Sequence, residues 1–281
     1  MLSNATPLPS KFRLSAIALL SLLILPAIGF AQLVDPAIWS EQVGLNADNA
    51  SDGGLGNDDA VPEPQSASLS GSSYSIDGSV SFNSPGAPNA TADMSASYTS
   101  GLSSFLGGSV TCQIIFSFRV VETSPPPITL QNVRVDITAS GTADAGGDSD
   151  LFSNALATFV VGTPAQPTMV DLSATASNSG GVLSDSFNET NQIILGPSGG
   201  ANVTMTVQAT IAPEVLVSGT SATATAFVDP IIVMADELIV GGGGANYRDH
   251  YVIEFVDGYW ALGSTPVQPT TWGKIKSLYG N

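Results

Sequence analysis

Charge is scarce in this sequence, and nearly all of it has one sign. Of 281 residues, 11% are Asp, Glu, Lys or Arg, less than half the roughly 25% of an average globular domain. Seven basic residues face 24 acidic ones, a formal net charge of −17. So few Lys and Arg cannot build a basic face, which excludes recognition of nucleic-acid phosphates and makes anionic membrane surfaces poor partners. One Cys and one His exclude disulfide frameworks and thiolate or multi-histidine metal centres within a single chain. Apolar residues are not scarce. At 43% they suffice for a core and set the chain apart from disordered ones.

The N-terminus has the layout of a cleaved secretory signal over residues 1–31. Lys11 and Arg13 form a positive start, Leu14 to Leu25 an apolar run, and Gly29-Phe30-Ala31 places small residues at −3 and −1, so cleavage is expected between Ala31 and Gln32. The run falls short of the ~20 residues of a spanning helix. The expectation is a secreted or cell-surface protein with no membrane span once the signal is removed. No Cys stands immediately after the cleavage point, where Gln32 does, so no N-terminal lipid anchor is expected. Cleavage removes Lys11 and Arg13 and no acid, leaving Arg119, Arg134, Arg248, Lys274 and Lys276 against all 24 acidic residues. Cys112 lies in a strand-like run and reads as a buried, inert thiol.

Residues 32–65 read as an irregular acidic leading segment. A short helix is expected from Asp35-Pro36 through Trp39, then a Gly-, Asn- and Asp-rich loop from Asn46 to Asp59, ending in Pro62-Glu63-Pro64. From residue 66 to 262 the pattern is one of strands. Ser66 to Ile76 alternates loosely, Asp77-Gly78 reads as a hairpin turn, and Ala92 to Thr99 alternates again. Ser109 to Glu122 is almost all apolar at its centre, as in a strand covered on both faces, and Pro125-Pro126-Pro127 stops it. Val133, Val135 and Ile137 share a face opposite Arg134 and Asp136. Val203, Met205, Val207, Ala209 and Ile211 share a face opposite Thr204, Thr206, Gln208 and Thr210. Residues 263–281 read as a linker and a short amphipathic tail.

About a dozen such segments between Gly, Pro, Asn and Ser turns predict an all-β fold: an antiparallel β-sandwich, jelly-roll or Ig-like, with short terminal helical segments. No amphipathic helix of ordinary length is expected between residues 66 and 262 to carry parallel crossovers. One large sandwich or two smaller ones divided near Pro125–Pro127 fit the length.

Catalytic candidates are thin. Gly196-Pro197-Ser198-Gly199-Gly200 matches the spelling of a nucleophile elbow, which needs a helix after the Ser; strands flank it here, so it reads as a hairpin turn. A triad would need His250, the sole His, which precedes a strand and reads as structural. Gly241 to Gly244 lacks the Lys-Ser/Thr and helix of a phosphate loop and reads as a flexible connection. Paired carboxylates drawn from Asp249, Glu254 and Asp257 define a third, hydrolytic reading.

Two oxygen-rich clusters fit calcium as the one cofactor the sequence offers. Asp48, Asp52 and Asp59 hold the first, fifth and twelfth positions of an EF-hand-like loop, although Ala50 and Gly56 occupy two other ligand positions; Asp144, Asp148 and Asp150 line a Gly-containing turn. Solvated acidic turns are the plainer reading of both. In the tail, Trp272, Ile275 and Leu278 or Tyr279 fall at helical spacing beside Lys274 and Lys276, as a docked terminal helix or a sorting tag would. Trp39, Tyr259 and Trp260 are the aromatics that could stack on sugar rings or pack at an edge.

The Thr223-Ala-Thr-Ala-Phe-Val-Asp-Pro230 strand end and the alternating Ser/Thr/Ala strands resemble exported bacterial β-sandwich proteins associated with PEP-CTERM-type surface sorting. That class ends in Pro-Glu-Pro, an apolar span and a basic cluster, whereas here Pro62-Glu63-Pro64 lies near the N-terminus and the sequence closes on Trp272 to Asn281. The resemblance implies a structural, extracellular-matrix or adhesive role without catalysis. A carbohydrate-binding module is the second reading, with extracellular polysaccharide or cell-surface components as partners in both.

Overall fold

A computed structural model describes residues 38–47, 50–56, 64–82, 89–100, 106–148, 150–179, 182–213 and 217–255. Period-two alternation becomes strand throughout. The strands are β1 (Ile38–Ala47), β2 (Ala50–Gly56), β3 (Gln65–Gly71), β4 (Tyr74–Phe82), β5 (Ala90–Tyr98), β6 (Leu106–Glu122) and β7 (Val133–Gly147). They continue as β8 (Leu151–Gly162), β9 (Val170–Ser177), β10 (Ser184–Leu195), β11 (Gly200–Pro213), β12 (Thr220–Met234) and β13 (Tyr251–Phe255). A single helical turn, α1 (Tyr247–His250), precedes β13.

Two antiparallel sheets pack face to face. One runs β2-β1-β6-β11-β8-β9 with β13 on the edge of β6; the other runs β10-β7-β12-β5-β4-β3. Strands β5 to β12 form the inner eight, and their partners are nested: β5 with β12, β6 with β11, β7 with β10 and β8 with β9. A long antiparallel ribbon with that nesting, rolled so that β8 meets β11 and β7 meets β12, is the jelly roll. Of the two expected sandwich types it is the one formed. The Pro-rich segment after β6 is the crossover from one sheet to the other and divides no domains.

The core lies between the sheets. Phe116, Phe118, Phe159 and Met205 bring bulk from the first sheet and Ile76, Met94, Phe187 and Leu195 from the second, with buried Ala such as Ala157, Ala176, Ala139 and Ala226 between them on both walls. Small residues among large ones let the two sheets approach closely in a chain with 7% aromatics. Gly78 belongs to the same fit. A Cβ there would stand 2.7 Å from Val110 Cγ2 and 3.2 Å from Leu45 Cδ2.

Several expectations need correction. Residues 38–56 are not an irregular leading segment: β1 pairs with β6 from Ile38↔Ile115 to Ala47↔Leu106, and β2 folds back on β1. Glu41, Val43, Leu45 and Ala47 all face inward and are buried; an acidic residue in the apolar series hid the period. The expected helix through Trp39 is absent at its described end, where Ile38 and Trp39 are already strand. Asp77-Gly78 is no turn but the middle of β4; the chain reverses at Ser72-Ser73. Gly196–Gly200 is a corner between sheets and not a hairpin, because β10 and β11 belong to different sheets. Gly241–Gly244 is a hydrogen-bonded turn, with Gly241, Gly243 and Gly244 at φ of 80°, 65° and 96° and Ile239 N–H donating to Ala245 O at 2.8 Å.

Candidate functional site

Pairing register aligns the outward residues of the second sheet into continuous rows. Ser184, Asp144, Thr225, Asp93, Ser79 and Ser66 occupy successive strands opposite one another. The next row holds Gly146, Thr223, Ser95, Asp77 and Ser68, and the one beyond it Ser221, Ser97, Ser75 and Ser70. Most inward neighbours of these residues are buried Ala, Met, Ile and Val, so burial of the core face forces hydroxyls and carboxylates outward together.

Where the rows cross β12, β5, β4 and β3, they line a groove of about 650 Å³ that also takes in Asp52 of β2. Its polar groups are partly organised. Ser68 Oγ donates to Asp77 Oδ1 at 2.6 Å, and in the adjoining row the Ser75 and Ser97 hydroxyls lie 2.9 Å apart. No Lys or Arg is among the groove's residues. Such a surface accepts hydrogen bonds through Asp77 and Asp93 and both gives and accepts them through Ser and Thr. That complement matches a hydroxyl-rich, uncharged ligand. Sequence reading missed this site: alternation placed Asp93 with Ser95 on a polar face, but only cross-strand register sets it beside Thr225 and Ser79.

Of the residues singled out from the sequence, Asp52 lines the groove and Asp144 lies in its first row; the other described ones fall elsewhere. Asp52 sits within antiparallel β2; its Oδ1 accepts from Gly53 N–H at 2.9 Å and its Oδ2 from Ser68 N–H at 3.2 Å. Asp48 and Asp59 lie outside the described residues. Asp148 ties strands together: its N–H donates to Ser221 O and its Oδ2 accepts from Ser221 N–H, both at 2.8 Å. Asp144 is exposed on β7 and Asp150 sits in the following turn. Among the described residues no three His, Cys, Asp or Glu side chains gather in a metal-binding group.

Ser198 lies exposed at the corner before β11, and His250 precedes β13. At Arg119 of β6, β11 and β13 pair on opposite sides, so β6 separates the two residues. The His250 ring is engaged by Ser124, with Nδ1 3.1 Å from its hydroxyl and 3.2 Å from its carbonyl oxygen. Asp249 closes a capping box with Asn246, and Glu254 pairs with Arg119 at 2.8 Å. Cys112 is fully buried. Burial, and then the charge of Glu41 opposite it in register, push its thiol pKa upward, so it resists forming a thiolate. Trp39 lies on β1 opposite Ile114. Ala31, Gln32, Asp257, Tyr259, Trp260, Trp272, Lys274, Lys276 and Tyr279 lie outside the described residues.

Fold and surface together define an all-β sandwich protein of jelly-roll connectivity with one broad polar face. Compared with family models, curated proteins and solved structures, the chain matches none.

Proposed function

We propose that this is an exported, non-catalytic sandwich protein with a structural, extracellular-matrix or adhesive role. The observation that carries the reading is the face of Ser, Thr and Asp rows running across the six strands of the second sheet. Such a face spreads weak hydrogen-bonding groups over a wide area instead of converging them on one reacting atom, which suits contact with an extended polymer. Few charges and a net negative balance keep it wetted without drawing in polyanions. The signal-like N-terminus and the resemblance to surface-sorted bacterial proteins support the location.

The groove favours a second reading, a carbohydrate-binding module. Jelly rolls serve lectin domains among others, although fold alone assigns no function. One experiment separates the two. Purified protein is sedimented with extracellular matrix from the producing cells and, in parallel, passed over columns of single polysaccharides. The structural reading expects co-sedimentation without retention on any one polysaccharide. Retention on one column, lost in Asp77→Ala/Asp93→Ala, establishes the carbohydrate module instead. Failure to sediment with the matrix contradicts the structural reading.

A further inference from the structure

Among the described residues the two sheets end on edge strands that face each other across two seams, one between β2 and β3 and one between β9 and β10, and edge strands turn backbone N–H groups outward. At the second seam Asp185 of β10 accepts through Oδ2 from the N–H of Thr175 in β9 at 3.0 Å, and through Oδ1 from Ser186 N–H at 2.9 Å. At the first, Asp52 of β2 accepts through Oδ2 from Ser68 N–H in β3 at 3.2 Å and through Oδ1 from Gly53 N–H at 2.9 Å. The two arrangements are the same: one oxygen fixed by the next residue's amide, the other reaching across to the edge strand of the facing sheet. One Asp comes from each sheet.

We propose that Asp52 and Asp185 are gates on the seams, which keep the edge strands of a second copy of this chain from adding to them. Exposed edges are templates for strand addition, and inward-pointing charge is one of the ways they are blocked. The self-pairing hazard here is concrete. Strand β10 is 12 residues long, its outer edge has no strand partner among the described residues, and it ends in Ile193-Ile194-Leu195 with Ile194 53% exposed. Pairing two β10 edges antiparallel about Phe187 would set Asp185 of each copy opposite Glu189 of the other, and opposed like charges destabilise such a pair. The seam carboxylates thus act twice, by satisfying an edge N–H and by repelling a second edge. This inference does not depend on the proposed function.

The test compares Asp52→Ala/Asp185→Ala with Asp93→Ala/Asp144→Ala, which removes the same charge from interior strands. Amide exchange at Ser68 and Thr175 is followed by NMR, and association by sedimentation velocity over rising concentration. In the seam variant exchange at those two amides accelerates roughly tenfold to a hundredfold, as loss of a charged hydrogen bond dictates, and larger species grow with concentration; the interior variant stays unchanged in both. A seam variant that remains monomeric at every concentration, or an interior variant that associates equally, overturns the proposal. Should the double variant fail to fold, Asp185→Asn keeps the volume and drops the charge. It too is expected to associate with rising concentration, and its remaining monomeric overturns the proposal as well.

Discussion

Phe187 of β10 fills the space that a side chain on Gly141 of β7 would need. The two are direct partners across the strands, and a Cβ on Gly141 would come within 2.3 Å of Phe187 Cζ. Phe187 is buried near the end of a strand whose neighbours are otherwise exposed. The pair therefore anchors the polar edge strand β10 to the sandwich.

Gly141→Ala should destabilise by about 1–3 kcal/mol, the cost of overpacking, and Phe187→Ala by about 3–5 kcal/mol. Combined, they should cost less than their sum, because removal of the ring makes room for the methyl. Urea denaturation of the three variants measures this. Strict additivity would mean the contact is not the one described.

Glycines in the two sheets should respond oppositely to the same change. At Gly78 an added Cβ meets Val110, Leu45 and Val43, whereas at Gly44 nothing lies within 4 Å. Gly78→Ala is expected to cost about 1–3 kcal/mol. Gly44→Ala is expected to be neutral or to stabilise by up to about 1 kcal/mol through the unfolded chain. Thermal melts of both single variants give the comparison.

Cys112 sets an alkaline limit. Its thiol titrates near 9.0 when unperturbed and higher when folded, first by burial and then by Glu41. Above about pH 9 the unfolded chain releases this proton while the folded chain keeps it, so unfolding gains and stability falls with rising pH; below that range the thiol has no effect. Between pH 8 and pH 10 the stability of the wild type should drop by about 1 kcal/mol more than that of Cys112→Ala. Urea denaturation at the two pH values reads the difference, and parallel losses in both proteins would contradict it.

Much of the architecture was legible because core burial imposes a strict period on strands. Val203 to Ile211 and Val133 to Ile137 show this: each lies on the face that alternation gave it. The period failed where one residue broke it. Glu41 within an inward series concealed β1, and Gly78, selected for close packing between sheets, imitated a turn. Which strands become neighbours is a property of the whole roll, so the joining of Asp77, Asp93 and Thr225 in one groove could not be read from any local pattern. Asp52 and Asp148, singled out from the sequence as oxygen ligands, accept hydrogen bonds from backbone amides, a use that no local pattern announces.

The central claim, export to a matrix or surface role, is tested most directly by fractionating the producing cells and taking the intact mass of the recovered protein. The account predicts a species that begins at Gln32 in the extracellular or surface fraction, bound to matrix material. A chain still beginning at Met1 and confined to the cell interior would contradict it.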